Sequence, residues 1–412
     1  MNKNRFFNLY SHDLIRVAVA RPITHLSVPQ QNIKNHRTLI HKALENQASL
    51  VVFPELSITG YSCEDLFHQS TLIEATEEAI LSLLHETQTL PILIILGAPI
   101  RLDEQLFNCA LLLLQGKIIG IIPKSYLPNH REYYEQRHFC SGFQQPNQRI
   151  SYAHCANIPF GRHWLFQATN QPKLTLALEI CEDLWAPLPP STWACLAGAS
   201  VVANLSASNA SVGKADYRRS LISQQSARSL TAYLYASAGW GESTTDLAWD
   251  GHSMIAEQGQ IISESPRFQY ESSLLLADID LLRTQQDRMH NSTFTSSKQH
   301  YSKIIQNFEV VPFLLPIPTT EQLPLLHPPR ALSYVPQQTE AWRERCYEVF
   351  EIQIHGLARR LQSSGLKHLV LGLSGGLDST LAALVAVQAL ARLHLPASHL
   401  IGVTLPGPGS GQ

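Results

Sequence analysis

Three side chains with complementary reactivity stand directly after apolar, β-type runs: Glu55 in VVFPEL (51–56), Lys124 in GIIPKSY (120–126) and Cys181 in LEICED (178–183). Ligand sites gather at strand ends in α/β sheets, so three such strands running compatibly in one sheet bring an acid/base, a cation and a nucleophile into one pocket. A thiol beside a cation and a carboxylate can lose its proton and form a thioester with an amide carbon, which splits one hard hydrolysis into two easier steps. In that chemistry Cys181 attacks, Glu55 takes the thiol proton and passes it to leaving ammonia, and Lys124 steadies the oxyanion. Each residue alone also fits an ordinary part: a buried structural thiol, a strand-end cap and a solvated surface charge. Spacing by itself does not bring them together.

The elements that must position these residues are legible as a pattern. From about residue 15 to 280 short β-type runs (15–20, 49–53, 92–98, 174–180, 201–205 and 274–280) alternate with helical stretches, as in an α/β domain built on a large sheet. The runs FNCALLL (107–113) and KIIGII (117–122), joined across GlnGly, read as a hairpin, which makes the sheet mixed. Residues 286–336, rich in Pro, Gln, Ser and Thr, read as a linker between a first domain (1–285) and a second (337–412). The second opens with apolar residues at helical spacing, Trp342, Cys346, Val349, Phe350, Ile354, Leu357 and Leu361. A buried strand (369–373), the loop SGGLDS (374–379) and a helix over 379–393 follow. Such a strand, glycine-rich turn and helix cradle an anion on backbone amides.

Composition narrows the classes. A hydrophobic content of 44% against 16% charged residues argues for a packed enzyme-like chain rather than disorder, and a formal net charge of −2 gives no nucleic-acid footprint. Apolar runs are too short or too interrupted to span a membrane, and the polar N-terminal stretch lacks a signal core. Seven cysteines without CxxC spacing indicate neither a disulfide framework nor a zinc site, and no metal is assigned. A cytoplasmic protein is expected.

The wider segments VFPELSITGY (52–61), PKSYLPN (123–129) and EICEDLW (179–185) resemble, in the same order, the three signatures of the nitrilase superfamily of carbon-nitrogen hydrolases. With SGGLDS downstream, the chain resembles the family of glutamine-dependent NAD(+) synthetases. The resemblance implies a four-layer α-β-β-α sandwich followed by the start of a Rossmann-like adenine nucleotide α-hydrolase domain. It implies a triad of Glu55, Lys124 and Cys181, with Glu132 in NHREYYE (129–135) orienting the lysine or the base. It further implies glutamine contacts from His130, Tyr133, Glu182, Ser208 and Lys214, with Glu182 and Ser208 on the amino end and Lys214 on the carboxylate. GWGESTTDLAWDG (239–251) should lie near the pocket; by itself it reads as a glycine-rich turn with an Asp-Gly hairpin.

For SGGLDS the resemblance is to ATP pyrophosphatases, with Ser374, Gly375, Gly376 and Ser379 on pyrophosphate and Asp378 capping the helix or helping a magnesium site. The implied reaction has no cofactor in the glutaminase part. L-Glutamine is hydrolysed through a cysteine thioester, and the ammonia amidates adenylated deamido-NAD while ATP is cleaved to AMP and pyrophosphate with Mg2+. Residues 403–412 begin like the family's next strand and turn and then stop, so an incomplete ATP site and a retained glutaminase half are expected, in a homo-oligomer. A stand-alone amidase or nitrilase and a silent oligomerisation fragment are the alternatives.

Overall fold

The computed structural model of the chain describes residues 6–245, 247–318, 320–326 and 339–404. Contacts divide the chain into two units, Met1–His327 and Pro328–Gln412.

The first unit opens with seven strands: β1 (Leu14–Arg21), β2 (Leu50–Val52), β3 (Leu93–Leu102), β4 (Gln105–Leu114), β5 (Lys117–Pro123), β6 (Gln148–Tyr152) and β7 (Cys155–Phe160). Six follow: β8 (Trp164–Ala168), β9 (Thr175–Ile180), β10 (Val201–Ser206), β11 (Ala232–Ser237), β12 (Met254–Glu257) and β13 (Gln260–Glu264). The last two are β14 (Ser273–Asp280) and β15 (Glu309–Phe313). They form two mixed sheets rather than one, of eight strands in the order β14-β1-β2-β3-β4-β5-β7-β6 and of seven in the order β13-β12-β11-β10-β9-β8-β15.

The layering follows from strand alternation, which sends neighbouring side chains to opposite faces. In β1, Val17 and Val19 join Leu50, Val52, Leu176, Leu178 and Val201 in a core between the sheets. Their neighbours Ala18 and Ala20 pack outward in a second core with Ile33, Leu39 and Ile40 of α1 (Pro29–Glu45) and Ile80 and Leu83 of α2 (Ser70–Glu86). With His36 and Ala43 of α1 and Thr76 and Leu84 of α2 buried as well, the inward positions recur every three to four residues and give each helix one buried stripe. A third core covers the other sheet. The first unit is thus the four-layer α-β-β-α sandwich expected from the resemblance.

The expected linker is largely structured where it is described. After β14 come helices at Leu281–His290, Ser292–His300 and Ser302–Ile305, and then β15, which pairs parallel with β8. Its backbone is held by side-chain amides: Asn170 donates to Leu315 O at 2.8 Å and accepts from Leu315 N at 2.9 Å. Pro312 is tolerated because β15 is an edge strand. Residues 327–336 lie outside the described residues.

The second unit is described by itself. A helix over Thr339–Ser364 packs Ile354 and Ala358 against Val385 and Ala389 of the helix Leu377–Arg392. The expected apolar face of the first helix is only half used, since Trp342 and Val349 are 46% and 49% exposed and Cys346 is also exposed. Parallel strands Leu369–Gly372 and Leu400–Val403 flank the second helix, a β-α-β unit as in a Rossmann-like opening. The reading of residues 405–412 lies outside the described residues.

Candidate active site

Glu55 and Lys124 leave the ends of β2 and β5 in one sheet, whereas Cys181 leaves the end of β9 in the other. The expectation of a single sheet is therefore corrected: the residues meet because two sheets face each other. Glu55 opens a turn pressed so closely on β3 that a Cβ at Gly97 would stand 2.3 Å from Leu56 N and 2.7 Å from Pro54 O. Only glycine leaves that room.

Lys124 Nζ bridges two carboxylates, donating to Glu55 Oε1 at 2.6 Å and to Glu135 Oε1 at 2.5 Å. Asn108 Nδ2 donates to Glu55 Oε1 at 2.7 Å, and Tyr61 OH donates to Glu135 Oε1 at 2.8 Å. All three charged groups are buried. Burial alone pulls the Lys124 ammonium down, but Glu135 and Glu55 outweigh it and hold the ammonium well above its usual range. Burial raises the Glu135 carboxyl to about 7, with Lys124 opposing and Glu55 adding.

Two ties to β10 fix the nucleophile against the base. Cys181 N donates to Leu205 O at 2.9 Å, and two residues further on Ala207 N donates to Glu55 Oε2 at 2.8 Å. Cys181 has φ 43° and ψ −97°, a conformation rare for a side chain with a Cβ and typical of sharp strand-to-helix elbows. Burial pushes its thiol up, as does Glu55, while Lys124 lowers it. A neutral thiol next to a buried carboxylate needs that carboxylate as its base. Asp183 locks the elbow to the lysine-bearing segment, accepting from Ile180 N at 3.0 Å, Ser125 N at 3.1 Å and Tyr126 N at 2.8 Å.

The expected helper is displaced by three residues. Glu132 accepts from Asn209 Nδ2 at 2.6 Å, and the glutamate on Lys124 is Glu135, at the start of the short helix Glu135–His138. Asn108, Tyr61, Asp183 and Trp185 were not among the expected site residues, although Tyr61 ends VFPELSITGY and Asp183 and Trp185 stand inside EICEDLW.

The expected glutamine contacts divide. Lys214 donates to Asn209 Oδ1 and stands over the rings of Trp185 at 5.4 Å and Tyr133 at 5.8 Å; burial lowers its ammonium while Cys181 raises it. Tyr133 OH donates to Asn209 Oδ1 at 2.9 Å. Glu182 is half-buried, raised by burial and lowered by Lys124, His130 and Lys214. Ser208 is buried, and its hydroxyl accepts from the buried Arg218 at 3.1 Å. His130 is exposed, with its backbone carbonyl accepting from Tyr133 N.

Residues 239–251 do frame this region. Glu242 accepts from Tyr61 N and Ser62 N at 2.9 and 3.0 Å, Trp249 packs edge-on to Tyr61, and Asp250 pairs with Arg218 at 3.1 Å. Asp250-Gly251 is not a hairpin turn; the hairpin joining β12 and β13 turns at Gln258-Gly259.

A model of the carbon-nitrogen hydrolase family matches residues 16–289. The chain belongs to the carbon-nitrogen hydrolase family. A second model, NAD synthase, matches residues 349–411, outside the carbon-nitrogen hydrolase region. The chain is 39% identical over 408 residues to a glutamine-dependent NAD(+) synthetase of Mycobacterium tuberculosis, covering 99% of this chain and 60% of that protein. It is 28% identical over 394 residues to the synthetase of that name from Thermotoga maritima, covering 95% and 60%. The chain thus spans about three fifths of the length of these curated relatives. Among solved structures, a glutamine-dependent NAD(+) synthetase from Cytophaga hutchinsonii aligns with TM-score 0.58 at 23% identity, over 97% of this chain and 61% of that one. A nitrilase-superfamily amidase from Nesterenkonia AN1 aligns with TM-score 0.52 at 21% identity, over 70% and 97%. These two share the fold of the carbon-nitrogen hydrolase unit.

Outside that unit, the SGGLDS loop forms a turn with Gly375 at φ 77°, and its helix starts at Leu377 rather than at Ser379. Gly376 N and Ser379 Oγ lie at 3.3 and 3.2 Å from Ser374 Oγ. Asp378 therefore does not cap the helix. It sits in the first turn, where a carboxylate is favoured by the helix dipole.

Proposed function

We propose that this chain hydrolyses L-glutamine through a Cys181 thioester and carries the glutaminase part of a glutamine-dependent NAD(+) synthetase. The observation that supports it most is the buried Lys124 ammonium held between Glu55 and Glu135, beside a cysteine on a strained elbow. Glu55 takes the Cys181 proton, and the thiolate attacks the amide carbon. Negative charge develops on the amide oxygen, where Lys124 stabilises it. Collapse expels ammonia, which receives the proton from Glu55; water activated by the same carboxylate then cleaves the thioester to glutamate and free thiol. Lys214, standing over Trp185 and Tyr133, suits the α-carboxylate, and Glu182 suits the α-ammonium.

The ammonia would amidate adenylated deamido-NAD, with ATP cleaved to AMP and pyrophosphate. The match of residues 349–411 and the amide-lined loop Ser374 to Ser379 support ATP binding in this reading. Magnesium would accompany the ATP, and Asp378 is the carboxylate standing next to the loop. A cytoplasmic homo-oligomer belongs to the same proposal.

Ammonia release from L-glutamine, other primary amides and nitriles tests the reading. Glutamine is expected to exceed simple aliphatic amides in kcat/KM by roughly 100-fold, because paired charges at its far end are left unmatched by the smaller substrates. Equal or better turnover of simple amides or nitriles favours the stand-alone amidase, and assembly without any turnover favours the silent fragment.

Glutamine hydrolysis should also rise with pH through about 7, where Glu135 loses the proton it holds at lower pH and takes up Lys124 as a carboxylate. Glu135→Gln should remove that limb and lower kcat by roughly 10- to 100-fold. A limb that persists in the variant assigns it to another group. By linkage, the shift of Glu135 from 4.5 to about 7 makes the folded state bind the extra proton, so its contribution to stability falls as pH rises across that window.

A further inference from the structure

The short helix that begins at Glu135 ends at His138, and there it meets a one-turn 3-10 helix, Glu64–His68, from a distant part of the chain. His138 Nδ1 and His68 Nε2 face each other at 3.3 Å, with ring centres 5.3 Å apart. Asp65 completes the group: one ligand atom from each of the three side chains lies within 4.8 Å of the others. Asp65 also accepts two bonds from Arg137, at 2.7 and 2.8 Å.

The ordinary account is a hydrogen bond between two imidazoles on a charged surface. It leaves one fact over. The His138 side chain is only 6% exposed, and its Nε2 is buried without a hydrogen-bond partner; the Glu64 carboxylate stands off at 3.8 Å. A buried polar nitrogen left unpaired costs free energy, so something in the working molecule should satisfy it.

A cation accounts for both ends of the ring. Two imidazole nitrogens bound to a tetrahedral ion at roughly 2.0–2.1 Å are separated by an edge of about 3.3–3.4 Å. The His138–His68 separation of 3.3 Å has that length. Binding through Nδ1 puts the proton of His138 on Nε2, aimed toward Glu64, the carboxylate–histidine–metal relay that orients metal-binding imidazoles elsewhere. Asp65 can give one oxygen to the ion while Arg137 keeps the other.

We propose that His68, His138 and Asp65 bind a divalent transition-metal ion of the zinc class, with Glu64 as the outer acceptor for His138. Two imidazoles and one carboxylate suit zinc and leave a fourth position for water. The histidines lie 70 residues apart and follow no spacing motif, so nothing in the chain's local pattern announces the site. The ion would grip the same four-residue helix whose first residue, Glu135, holds Lys124. It would thus act on the triad through Glu135.

The test is titration of the full chain, stripped of metal with a chelator, with Zn2+ by calorimetry. One site with a dissociation constant of about 1 μM is expected, with Tm rising by about 2–4 °C at saturation. His68→Ala, at an exposed position, and Asp65→Ala should each weaken it at least tenfold, while His85→Ala, on an exposed part of another helix, should not. Co2+ as a probe should give the visible bands of a nitrogen- and oxygen-bound ion. Unchanged binding in His68→Ala, absence of binding below millimolar Zn2+, or a thiolate charge-transfer band with Co2+ would each overturn the proposal.

Discussion

Replacing Cys181 with alanine is expected to lower ammonia release from glutamine by roughly 10^5-fold, because no other group can form the thioester. The fold should barely notice. The side chain loses one buried atom, and alanine adopts the same positive φ at a cost close to that of cysteine, so a stability change of about 1 kcal/mol is expected. Glutamine binding should survive, since the groups assigned to its far end are untouched. The decisive measurement is a glutaminase assay alongside calorimetric binding of glutamine. Full ammonia release from the variant would sink the triad.

Lys124→Met should be as damaging to activity and far more damaging to stability. The ammonium is the counter-ion of two buried carboxylates, and its loss leaves Glu55 and Glu135 sharing a site with no positive charge. Breaking a buried charge arrangement in this way costs about 3–5 kcal/mol, most of it for the charges left behind. The deficit has a pH signature: protonation relieves the orphaned carboxylates, so the gap from wild type in urea unfolding should shrink as pH falls from 7.5 to 5. Lys124→Met/Glu135→Gln should recover part of the stability and none of the catalysis. A single variant that unfolds like wild type at pH 7.5 would show that the ammonium is not what neutralises this site.

The sequence made some parts of this site plain for physical reasons. Glu55, Lys124 and Cys181 follow continuous apolar runs, and a buried strand announces where it ends. Which sheet each strand joins depends on pairing between distant segments, so the sharing of the triad by two sheets was not visible. Glu132 and Glu135 are three residues apart in one polar segment, and no periodicity says which turns inward. That choice is made by the chain path after Arg131, at φ 54°, and by Glu135 N donating to Pro128 O. The order of the described residues between 286 and 326 is not legible in composition, because it comes from pairing with β8 and from the side chains of Asn8 and Asn170, none of which is local. The helix after SGGLDS begins two residues before the position its Asp suggests, because Asp is a common cap and the backbone here uses Gly376.

The split of the triad between two sheets bears on how the chain is made. As synthesis proceeds, the carboxylate and ammonium arms exist long before the thiol arm, and the first sheet stays open until β14 closes on β1. No half-built chain can hold a nucleophile against its base. Recovery of ammonia release during refolding should therefore lag the recovery of helix and sheet content and coincide with sheet-on-sheet docking, so that the proposed activity reports the chain's own assembly.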